Sequence, residues 1–177
     1  MLPGMHQPLH TTGAAGPFGR FRDDHRRVLG RLDDLERIAT DPVRGETGEA
    51  RFAETLDLLA RQFATHMIAE DRVLYPVLAV AFPESRAVLA PLHVEHIELR
   101  LMLAALGDTV GRSRGPAREE QLLVRTRDFV TLLRLHIRKE DHSVFDLAER
   151  VLRPHEVREL VERLEASYAL GDPERGG

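Results

Sequence analysis

The sequence predicts an all-α protein, an up-down-up-down four-helix bundle with an extra short C-terminal helix. Two observations carry that expectation. Apolar residues recur in alternating steps of three and four along four long stretches, the pattern of a helix that buries one stripe. The breaks between those stretches are short and hold prolines and glycines, so consecutive helices run antiparallel. With 177 residues, 42% of them hydrophobic, the chain can bury the core of one domain.

The first helix is expected from Pro17, a residue suited to a first helical turn, with the stripe Phe18, Phe21, His25, Val28, Leu32, Leu35, Ala39. Asp41, Pro42 and Gly45 end it. The second is expected from Thr47 as N-cap, with Phe52, Leu56, Leu59, Phe63, His66, Glu70, Val73 and Val77 in register, and a kink at Pro76. The third is expected over 84–110 with Leu89, Leu92, His96, Leu99, Leu103, Leu106 and Val110; Pro91 either bends it or marks its true start. The fourth starts at Pro116 and carries Leu122, Phe129, Leu133, His136, Glu140, Val144 and Leu147, stopping at Arg153 and Pro154. Residues 155–169 form the fifth, with Val157, Leu160, Val161 and Leu164 on one face, packed outside the bundle or at an oligomer contact. The expected division is a flexible tail over 1–16, the bundle over 17–152, and the short helix with its tail over 153–177.

Composition excludes several classes of function. Net charge is −4 and basic residues are interspersed with acidic ones, so no nucleic-acid footprint is present. No run approaches the roughly 18 apolar residues of a membrane span. The N-terminal stretch has neither a basic start nor an apolar run, so a cytoplasmic location is expected. There is no cysteine, which removes disulfides, thiolate metal sites and cysteine nucleophiles.

The polar intrusions in the apolar stripes are the informative feature. His25, His66, Glu70, His96, His136 and Glu140 all stand where leucines belong. Residues four apart on a helix differ by about 40° in azimuth and about 6 Å in rise, so His66/Glu70 and His136/Glu140 each project two groups to neighbouring points. A buried unpaired carboxylate costs several kcal/mol, and two side by side repel as well. Two divalent cations remove both penalties, each glutamate bridging them and the imidazoles completing the coordination. Sulfur-free His/Glu ligation suits iron, manganese or zinc. Two bridging carboxylates among imidazoles favour two non-haem iron ions, with zinc or manganese as the alternatives.

Neighbouring groups have to be sorted. His96 continues the stripe, and His93, about 60° away, is either an additional ligand or a supporting group. Asp141 lies about 140° from His136 on a straight helix, so Glu140 is the expected ligand. Glu95 is expected to be solvated, Tyr75 to serve packing, His142 and His155 to lie on the surface, and His6 and His10 to belong to a solvated tail.

These residues resemble the hemerythrin-like, or HHE cation-binding, family. The pieces are DDHRR, FATHMIAEDRVLYPVL, HVEHIELR and LHIRKEDHSVF, and the resemblance spans about residues 18–150. It implies metal ligation by His25, His66, Glu70, His96, His136 and Glu140. Hemerythrins proper place two histidines four apart on the third helix, whereas His93 and His96 are three apart. The chain therefore resembles bacterial HHE domains more than oxygen-storage hemerythrins. The implied function is binding of O2 or a related small oxidant at a di-iron centre. Peroxide or nitric-oxide processing at the same metals, and an iron or redox sensor acting through a partner, are the alternatives.

Overall fold

A computed structural model of the chain describes residues 18–41 and 45–171. The expected tail over 1–16 with His6 and His10, the helix start at Pro17 and the break at Pro42 lie outside the described residues. Among the described residues there is no strand. Helix α1 spans Gly19–Thr40, α2 Gly45–Ala69, α3 Tyr75–Ala81, α4 Arg86–Val110, α5 Pro116–Lys139, α6 Phe145–Val151 and α7 Pro154–Gly171. Two π-helical turns, Glu70–Leu74 and Glu140–Val144, join α2 to α3 and α5 to α6, so each of those pairs is one continuous rod. Four rods result: α1, α2–α3, α4 and α5–α6. Helix α1 packs on α2 and α5, and α4 packs on α5 and α2, which closes an all-α four-helix bundle.

The local starts and stops follow backbone chemistry. Helix α2 begins at Gly45 rather than at the expected cap Thr47. Gly45 has a φ of +55°, a conformation glycine adopts without a Cβ penalty. Helix α4 follows a short 3₁₀ turn, Pro83–Ser85, and runs through Pro91, so that proline neither starts nor ends it. The rod also continues through Pro76, the second residue of α3, directly after the π turn.

The π turns shift the register of both rods. In each, the amide of the residue five positions on bonds back to the glutamate carbonyl, Tyr75 to Glu70 and Phe145 to Glu140. One extra residue per turn slides the buried stripe by one position. Leu74, Tyr75 and Leu78 are buried where Val73 and Val77 were expected, and Phe145 and Ala148 where Leu147 was expected. Proline is not the cause, because the second turn contains none. The two segments are a repeat offset by 70 residues: His66, Glu70, Asp71, Tyr75 and Leu78 correspond to His136, Glu140, Asp141, Phe145 and Ala148.

Two apolar clusters flank the polar layer. One fills the loop end of the bundle with Leu32, Leu35, Phe52, Leu59, Phe63, Leu106 and Phe129. The other holds Phe18, Phe21, Leu74, Leu78, Leu92, Phe145 and the α7 residues Val157, Leu160 and Leu164. Each such large apolar side chain contributes about 1.5–3 kcal/mol on burial. Helix α7 lies against α2 and the Glu70–Leu74 turn, covering the end of the bundle where the polar layer sits.

Candidate metal centre

All six stripe residues converge between the two apolar clusters and are buried. They form two overlapping groups, His25/His66/Glu70/Glu140 and Glu70/His96/His136/Glu140, and within each group one nitrogen or oxygen per residue lies within 4.8 Å of the others. The imidazoles face in pairs: Nε2 of His25 lies 2.8 Å from Nε2 of His66, and Nε2 of His96 lies 2.9 Å from Nε2 of His136. Both glutamates span the two pairs. Glu70 has Oε1 at 2.9 Å from His66 Nε2 and Oε2 at 3.7 Å from His96 Nε2. Glu140 has Oε2 at 3.4 Å from His25 Nε2 and Oε1 at 3.4 Å from His136 Nε2.

Carboxylates behind the rings set their protonation. Nδ1 of His25 donates to Asp141 at 2.8 Å, that of His96 to Asp71 at 2.9 Å, and that of His136 to Glu95 at 3.0 Å. A neutral imidazole that donates from Nδ1 carries its lone pair on Nε2. With both rings neutral, the Nε2 atoms of His96 and His136 would present two lone pairs to one another at 2.9 Å, so either a proton on His136 or a metal ion must lie between them. The glutamates show the same want. Both oxygens of Glu70 and Oε2 of Glu140 are buried without a hydrogen-bond donor. Although His66 Nε2 is 2.9 Å from Glu70 Oε1, the contact lacks hydrogen-bond alignment. Buried polar atoms of this kind are rare in folded proteins and point to an ion. Four imidazole nitrogens with two carboxylates fit two first-row divalent metals.

Titration of the centre reflects the same charge deficit. Burial depresses His25, but its hydrogen bond to Asp141 and the nearby Glu140 carboxylate outweigh it and hold the ring up at about 10. Burial likewise depresses His136, and Glu140 and Glu95 lift it to about 9. Burial and the neighbouring His25 charge push His66 down to about 3. The carboxylates split: burial and Glu140 raise Glu70, whereas the burial cost of Glu140 is outweighed by His136 and His25, which lower it. Positive charge is demanded here, as imidazolium in the metal-free chain or as metal.

Two expectations change, those for Glu95 and Tyr75. Glu95 is not solvated; its carboxylate holds His136 and pairs with Lys139. Asp141 accepts from Nδ1 of His25 and orients that ring. Tyr75 does more than pack: its hydroxyl donates to Glu140 Oε1 at 2.5 Å while its ring stacks on His96. Burial, Glu140 and Glu70 raise the phenol, so it remains a donor. His93 lies on the surface and reaches Asp71 at 2.8 Å, making it a supporting group. His142 and His155 are exposed as expected. Asp71 was not singled out from the sequence, yet it braces His96; the signal was its place directly after Glu70, as Asp141 follows Glu140. Aromatic walls close the centre: Phe21 beside His66, Phe63 edge-on to His96 and His136, and Phe145 stacked on His25.

Residues 17–148 match the hemerythrin HHE cation binding domain. The chain belongs to that family. The match covers α1 to α5, α6 as far as Ala148 and every residue of the polar layer of this HHE domain, while α7 lies beyond it. No curated protein matches the chain. Cation binding by the HHE domain thus agrees with a buried His/Glu cluster that can hold metal. Among the described residues no helix is long and apolar enough to cross a membrane.

Proposed function

We propose that this HHE domain is a non-haem di-iron protein that binds O2 or a related small oxidant in the core of its bundle, with His25, His66, Glu70, His96, His136 and Glu140 as the ligands. One observation carries the proposal: each glutamate turns one oxygen toward each imidazole pair, as two bridging carboxylates must. An iron pair there supplies reversible electron transfer and open coordination positions, because six side chains do not saturate two six-coordinate ions.

The chain's own residues prepare that chemistry. Asp141, Asp71 and Glu95 fix the tautomer and aim of three imidazoles. Phe21, Phe63 and Phe145 exclude water from the imidazole faces. Tyr75 holds a hydroxyl proton at Glu140, the one O–H on the polar layer among the described residues.

The test is metal analysis of protein produced with iron supplied, with visible spectra before reduction, after reduction and after re-exposure to O2. Two irons per chain and a spectrum that cycles are expected. Recovery of metal-free protein, or of stoichiometric zinc alone, would overturn the reading. Oxygen evolution from hydrogen peroxide beyond stoichiometric oxidation would move it to a peroxide-processing enzyme.

A further inference from the structure

The repeat that builds the polar layer is broken at one position. Tyr75 and Phe145 occupy equivalent places after the two π turns, and each ring stacks on one histidine of an imidazole pair. Tyr75 lies 5.6 Å from His96 at 13°, and Phe145 lies 5.6 Å from His25 at 23°. The rings match in position and differ by one hydroxyl. That hydroxyl donates to Glu140 Oε1, the oxygen facing the His96–His136 pair. The counterpart oxygen, Glu70 Oε1, faces His66 and has no donor. Glu140 Oε2, which faces His25, has none either.

We propose that Tyr75 makes the two ion positions unequal, leaving the His96–His136 position the weaker-bound, more electron-poor one at which an outside ligand enters. A hydrogen bond to a carboxylate oxygen draws charge from it and occupies a lone pair, so the oxygen is a poorer donor to a metal. On the His25–His66 side no hydroxyl engages the facing oxygens. The first ion fills that side, and the second takes the side whose bridging oxygen is already engaged. Tyr75 is a positioning residue, since it acts through Glu140. The proposal rests on the two-ion reading of the centre.

The experiment titrates metal-free full-length protein with Co2+ alone, without oxygen, following the cobalt visible bands and the heat of each step. Wild type is expected to take up two ions in two resolved steps. Tyr75→Phe keeps the ring and removes the donor; it should tighten the second step by about tenfold or more and leave the first unchanged. Phe145→Tyr should weaken the first step by a comparable factor, and it decides the matter alone if the other variant does not fold. Constants that do not move in either variant, or that move together, overturn the proposal. A weakened second step in Tyr75→Phe overturns it as well, because the hydroxyl would then be aiming Glu140 at the ion. Uptake of fewer than two Co2+ by wild type removes the two-ion reading itself, a failure distinct from the others.

Discussion

Asp141 accepts the Nδ1 proton of His25 at 2.8 Å across the bundle, from the position directly after Glu140. Adjacent carboxylates on one π turn thus do different work, one inside the centre and one behind a ring. Removing such a supporting carboxylate commonly costs 10–100-fold in metal affinity. Asp141→Asn and Asp71→Asn should each weaken metal binding by about 10–100-fold while the metal-free protein keeps its helicity. Competition with a chelator of known affinity measures the loss, and circular dichroism checks the fold. Wild-type affinity in both variants would show that the rings need no bracing.

Glu70 gives the opposite signs for stability and binding. Its folded-state value is raised by burial and by Glu140, so folding is favoured when it is protonated and disfavoured as pH rises above its ordinary 4.5. Glu70→Gln mimics the protonated form. The metal-free variant should be more stable than metal-free wild type by about 1–3 kcal/mol at neutral pH, the gain vanishing below about pH 4.5. Metal uptake should fall from two ions to at most one. Urea melts of both metal-free proteins test the first half and metal analysis the second. A less stable Gln variant would mean the carboxylate has partners that the geometry does not show.

Metal uptake should expel protons. With His25 held at about 10 and His136 at about 9, both rings are charged in metal-free protein at neutral pH. Loading should release about two protons from these rings, and affinity should rise with pH until about 9–10. For the metal-free fold, these two raised rings contribute stability that is complete below about 6.5 and lost as pH rises through about 9 and 10. His66, depressed to about 3, contributes stability present above about 6.5 and lost as pH falls through 3. Calorimetric titrations in buffers of different ionisation heat count the protons. Pure metal binding with no buffer dependence would contradict the charge balance.

The helices and the six polar intrusions were legible because both are matters of period. An apolar stripe tolerates an ionisable residue only where something compensates it, so His25, His66 and His136 stood out against leucine neighbours. What the period could not show was the change of period itself. No residue in Glu70–Leu74 or Glu140–Val144 marks a π turn, and a straight-helix reading put Val73, Val77 and Leu147 inward and kept Tyr75 beside the stripe. Glu95 was misplaced for another reason: it lies off the stripe of its own helix and is recruited by His136 and Lys139 from the next one. Contacts of that kind belong to the assembled bundle.

At the far end of α5, about 27 Å from His136 along the helix at 1.5 Å per residue, Arg118 does a purely structural task. Its Nε and Nη2 donate to the Thr109 and Val110 carbonyls, two of the last carbonyls of α4, which have no amide partner within the helix. The same guanidinium makes two bonds to Glu49 of α2, at 3.0 and 2.6 Å, and is buried. Breaking the pair from one side removes both of these bonds to Glu49 and takes the guanidinium donor away from the Val110 carbonyl. Arg118→Met should therefore cost about 2–4 kcal/mol, and pairing it with Glu49→Leu should recover part of that loss. Metal stoichiometry and affinity should be unchanged in both proteins, because the polar layer is braced by its own carboxylates. A change in metal binding in Arg118→Met would show that the two ends of the bundle are coupled.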